Sequence, residues 1–213
     1  MDNIALFSSH GLDYLFRWGH FLAGITWIGL LYYFNFVQGE YFKEAEDGAK
    51  ANAVQKLVPR ALWWFRWGAM FTFLTGLVLL HFRMSGISLD ITLGALLGTL
   101  MFLNVWLIIW PNQKLVIAGA PEAAAAAPKA ALASRTNTLF SLPMLFFMGS
   151  SGHMPSGLVT EASMPALIVS LVVIAALEAN AIFGKQGPMT TVKGVITSGV
   201  ALTVVLYGVV SLL

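Results

Sequence analysis

Four histidines, His10, His20, His81 and His153, are the residues best suited to chemistry in this sequence. His20 stands in "RWGHFLAGITWIGLLYYF", residues 17–34, a run apolar enough for lipid that also carries Arg17 one turn before the histidine. An ionisable group inside a membrane helix is costly, which makes it a functional candidate. A neutral imidazole ligates iron through one ring nitrogen, and a b-type haem in a helical bundle takes one or two of them from facing helices. Such a haem also needs aromatic walls and a basic side chain for its propionates. Phe16, Phe21, Trp27 and Phe82 are the candidate walls, and Arg17 and Arg83 the candidate propionate partners. His20 is therefore expected to ligate haem b, with His81 or His153 as its partner. The plainer alternative is an interfacial histidine hydrogen-bonded to a carbonyl or water, and that is the expectation for His10.

A second polar set lies deeper in apolar sequence. Asn35, Asn104, Glu178 and Asn180 interrupt hydrophobic runs, and "SRTNT" brings Ser134, Arg135, Asn137 and Thr138 together. These read as interhelical hydrogen-bond glue, or as a polar pocket or proton path. Arg135 and Glu178 are expected to form an ion pair between neighbouring helices, within a network that includes Asn104 and Asn137.

The elements that must position these groups follow from composition. Of 213 residues, 58% are hydrophobic and 10% charged, and the mean hydropathy is +0.77. A water-soluble domain carries about 25% charged residues, so the expectation is an all-α, polytopic membrane bundle forming a single domain. With about 20 apolar residues needed per crossing, six spans are expected: 13–36, 61–83, 87–110, 131–151, 158–183 and 190–212. "QGEYFKEAEDGAKANAVQKLVPR" is a charged connection, and "PNQKLVIAGAPEAAAAAPKAA" is expected as a flexible linker because its prolines interrupt any long helix. "WPNQK", with Pro111, reads as a helix stop. Pro143 is expected to kink the fourth span, and Gly94 and Gly98 mark a close helix contact.

Ten of the twelve Lys and Arg residues fall on one side of this arrangement, leaving only Arg17 and Arg83 on the other. The positive-inside rule then puts both termini in the periplasm and all four histidines in the periplasmic leaflet. The setting is a bacterial inner membrane, with the lipid bilayer as the main partner and no nucleic-acid partner. The N-terminus shows no basic region of a cleavable signal peptide. The chain has no cysteine, which excludes disulfides, thiolate metal sites and a CxxCH haem attachment.

Taken together, "RWGHFLAGITWIGLLYYF", "IIWPNQKLV" and "SRTNTLFSLPMLFFMGSSGH" resemble the membrane domain of the bacterial cytochrome c-linked urate oxidases, over residues 10 to 155 and more loosely to the end. The resemblance marks His20, Trp27, Pro111, Arg135, Asn137, Pro143 and His153 as motif positions. It implies urate oxidation, with electrons passing to cytochrome c. Span one also has a looser similarity to the haem-binding membrane oxidase of protoporphyrinogen. In the family the membrane domain is followed by a c-type cytochrome domain, which this cysteine-free chain does not carry, so a separate c-type cytochrome is the expected acceptor. The expected function is a b-haem membrane redox protein taking electrons from a small organic donor. A non-catalytic subunit of a membrane complex, a homo-oligomer component or a small transporter is the alternative.

Overall fold

The computed structural model describes residues 5–83 and 86–213. Seven helices carry the architecture: α1 (Ser9–Glu44), α2 (Asp47–Lys56), α3 (Val58–His81), α4 (Leu89–Ile117), α5 (Ala123–His153), α6 (Met164–Phe183) and α7 (Val192–Leu212). The described residues contain no strand, only one isolated bridge between Ser88 and Leu158. Several helices begin where a hydroxyl can satisfy an orphan amide. Ser8 accepts from Gly11, Ser88 from Ile91 and Thr191 from Gly194.

The chain is an α-helical membrane protein. Helices α1, α3, α4 and α7, together with Glu161–Phe183, which ends in α6, are each long and apolar enough to cross a bilayer. The sixth expected crossing, α5, is different. Its 31 residues give a length of about 45 Å, yet it is more polar than the others. The reason is its place at the centre of the bundle, where it packs against α1, α4, α6 and α7. It buries Arg135, Thr136, Asn137, Thr138 and Ser141, which a lipid-facing helix does not tolerate.

Between membrane helices there is no hydrophobic drive of the kind water supplies, so close contact comes from small residues. A Cβ on Gly68 of α3 would meet the Trp27 backbone nitrogen of α1 at 3.1 Å, and one on Gly94 of α4 would meet the Met148 nitrogen of α5 at the same distance. The close contact expected at Gly94 and Gly98 is thus an α4–α5 crossing. A third lies at Gly199 of α7, 3.1 Å from the Leu139 carbonyl of α5 by the same measure.

Two expectations from the proline positions are corrected. The Ala- and Pro-rich stretch is helical over most of its length, because α4 runs to Ile117 and α5 begins at Ala123. Alanine is the strongest helix former, and of the prolines there Pro121 falls in the short turn while Pro128 is exposed near the start of α5. Nor does Pro111 stop α4. It sits in the first turn of the α-helix that resumes after the π-helical segment Asn104–Ile109, where a missing N–H is tolerated. Helix α5 likewise continues through a buried Pro143.

Candidate functional site

The polar residues gather in the half of the bundle where α1, α4 and α6 end and α5 and α7 begin. Two segments there widen into π-helical turns, Tyr33–Gln38 in α1 and Asn104–Ile109 in α4. Such turns disturb the i→i−4 ladder and recur at functional sites. Carbonyls entering them take side-chain donors: Asn35 Nδ2 gives to Leu31 at 2.9 Å, and Asn137 Nδ2 crosses from α5 to Met101 at 2.9 Å. Asn35 also donates to Ser134 Oγ of α5 at 2.8 Å, and Tyr32 Oη meets Ser141 Oγ at 2.8 Å. The sequence signal for both turns was an asparagine in mid-span; the widened geometry itself was not legible.

Asn104 joins three helices. Its Nδ2 donates to Asn137 Oδ1 at 3.0 Å and to Glu178 Oε2 of α6 at 3.1 Å. Asn104, Asn137 and Glu178 of the expected network are therefore brought together. Arg135 is not. Among the described residues the ion pairs are Arg17–Asp13 and Lys43–Glu40, and no bridge joins Arg135 to Glu178. Residues two apart on a helix point ~200° apart around the axis, so with Asn137 turned toward Met101 and Asn104 of α4, Arg135 faces the opposite way. The expected Arg135–Glu178 pair is corrected on that ground. A further basic contact was missed: the Arg66 guanidinium of α3 lies 3.8 Å from the Trp110 ring centroid of α4.

The histidines lie in the other half. No residue of α1 before Trp27, and none of α3 after Ala69, is fully buried, so there the α1–α3 pair packs less tightly on the rest of the bundle. His20 is half-buried on this stretch, with Nδ1 3.0 Å from Thr75 Oγ1 of α3 and the Thr72 backbone beside the ring. Gly76 makes room for it: a Cβ there would lie 3.3 Å from His20 Cε1. The Thr75 hydroxyl has one proton, and it is given to the Phe71 carbonyl at 2.6 Å, with the Thr72 carbonyl at 3.1 Å. With that proton on Phe71, Thr75 Oγ1 accepts from His20 Nδ1–H, and in this tautomer Nε2 keeps its lone pair.

His81 and His153 are exposed at the ends of α3 and α5, and His10 is exposed at the start of α1. His81 lies five residues beyond Gly76, about 140° around the helix from the face that meets His20. His153 matches His20 in depth: with α1 and α5 antiparallel, His20 is twelve residues from Tyr32 and His153 twelve from Ser141, the pair that joins the two helices. Arg17 is tied to Asp13 at 2.5 Å, and Arg83 lies in the turn after α3. Trp27 is buried, whereas Phe21 is largely exposed and Phe16 and Phe82 partly so. The aromatic residues thus do not close over His20. No cluster of three His, Asp or Glu side chains able to hold a metal ion occurs among the described residues. In the Nδ1–H tautomer, His20 Nε2 would supply one nitrogen to a haem iron, and that is as far as the donor set goes.

Residues 81–211 match the family described as urate oxidase N-terminal. The match spans α4 to α7, and so includes Asn104, Arg135, Asn137, His153 and Glu178. No curated protein and no solved structure matches the chain.

Proposed function

The chain belongs to the urate oxidase N-terminal family, and from that premise we propose that it is a membrane oxidoreductase of urate oxidase type. In this reading it takes electrons from a small organic donor and passes them to a separate c-type cytochrome on the periplasmic side of a bacterial inner membrane. His20 would hold a b haem, which would supply one-electron chemistry between donor and acceptor. Thr75 fixes the His20 tautomer and aims Nε2, as second-sphere partners of ligating histidines do. His153, matched in depth, is the candidate second ligand.

The observation that carries the reading is the contact of His20 Nδ1 with Thr75 Oγ1 at 3.0 Å between α1 and α3, whose Nδ1–H tautomer gives Nε2 the lone pair a haem iron would take. The test is a visible spectrum of the protein produced with ample haem. A Soret band with split bands on reduction is expected, lost in His20→Ala, shifted in His153→Ala and unchanged in His10→Ala and His81→Ala. Absence of a Soret band from the wild-type protein ends the haem reading. The second reading, a non-catalytic membrane subunit, is favoured by the exposure of His81 and His153, and it takes over on that result.

A further inference from the structure

Arg135 poses a problem that the bundle itself does not solve. The residue is 8% exposed, and among the described residues its Nη1 is buried without a hydrogen-bond partner and its guanidinium forms no ion pair. A buried cation without a partner is expensive in protein and more so in a membrane. Glu40 of α1 is the carboxylate whose charge reaches Arg135. Lys43 Nζ also donates to both Glu40 oxygens, at 2.8 and 2.9 Å. One carboxylate therefore stands between two cations, and these three side chains together keep one uncompensated positive charge.

Its position is set by its neighbours on α5. Ser134 bonds Asn35 in the π-helical part of α1. Leu139, one turn after Arg135 on the same face, meets Gly199 of α7. Arg135 thus lies between the end of α1 and the start of α7, on the opposite side of α5 from the Asn104–Asn137–Glu178 network. A guanidinium offers a planar fork of donors that matches delocalised oxygens in pairs. We propose that Arg135, between α1, α5 and α7, is the binding residue for a small organic anion whose delocalised oxygens fit that fork. The proposal rests on the oxidoreductase reading in one respect: the anion is the electron donor.

The test uses the full chain in neutral detergent and urate, an anion at neutral pH, as the probe. Wild type is expected to bind urate, Arg135→Gln to bind it at least about tenfold more weakly, and Arg135→Lys to fall between. Without ligand, Arg135→Gln is expected to melt no lower than wild type, because it breaks no ion pair among the described residues and removes the charge in excess around Glu40. Urate binding that is absent from wild type, or equal in wild type and Arg135→Gln, overturns the proposal. So does a lower melting temperature of ligand-free Arg135→Gln, which marks a structural role. Parallel arms use inorganic phosphate and nanodiscs with and without phosphatidylglycerol. Stabilisation through Arg135 by those alone overturns the organic anion in favour of a phosphate or lipid headgroup. The Soret band reports separately: if it persists while urate binding fails, the anion site falls and the haem reading stands.

Discussion

Asn104 permits a double-mutant test of how the bundle is wired. Asn104→Ala removes the donor to both Asn137 Oδ1 and Glu178 Oε2. Glu178→Ala removes only the second of these bonds. Interhelical hydrogen bonds in membranes average about 0.6 kcal/mol and reach ~1.7, and bonds to a charged group are worth about 1.5–3 in protein. The Asn104–Glu178 coupling is therefore expected at about 1–2 kcal/mol, and the two single losses should sum to more than the double loss. Asn137→Ala should also couple with Asn104→Ala, by ~0.6–1.7 kcal/mol. The control is Arg135→Gln combined with Glu178→Ala. These side chains face opposite sides of α5, so their effects should add to within about 0.5 kcal/mol. The assay is reversible unfolding in mixed micelles, followed by circular dichroism. Coupling above ~1 kcal/mol between Arg135 and Glu178, or none between Asn104 and Glu178, refutes the orientation of α5 argued above.

Asp90 is fully buried and accepts from Ser150 Oγ at 2.6 Å, Ser156 N at 2.6 Å and Ser156 Oγ at 3.2 Å, tying the α5–α6 connection to the start of α4. Asp90→Ala should cost about 3–5 kcal/mol, since charge-assisted bonds are lost and a buried amide is left unpaired; faster hydrogen exchange at Val159, whose N–H bonds Ile87, checks it, and unchanged exchange counts against the clamp. For orientation, a cysteine at Ser9 should label from the periplasm and one at Lys50 should not, and labelling at Lys50 would reverse the assigned topology.

Much of the fold was legible because its signal is local. Each long apolar run announces a helix through its own residues: each of the six expected spans overlaps an observed helix, and five of the apolar helices are long enough to cross a bilayer. The small-residue contact at Gly94 could be read the same way, since a missing side chain marks where backbones can approach. The Ala-rich stretch misled because two prolines were weighed above alanine's helix preference, and one of them falls in the turn between helices. Even the polar half of the bundle was foreshadowed, with Asn35, Asn104, Asn137 and Glu178 at matching depths in successive runs.

Partner choice was decided only by tertiary structure. Arg135 and Asn137 are two residues apart in "SRTNT", and nothing in that string says which of them turns toward Glu178. The rotation of α5 settles it, and that rotation is fixed by contacts from α1, α4 and α7, at Tyr32, Asn35, Gly94, Met101, Asn104 and Gly199. The same holds for His20. Its residue type was enough to make it a candidate, but the threonine that meets its ring lies 55 positions away on another helix. Hydropathy is additive along the chain and can be read from it. Hydrogen bonding is exclusive, because a proton or lone pair once used is unavailable, and that allocation exists only after distant helices have met.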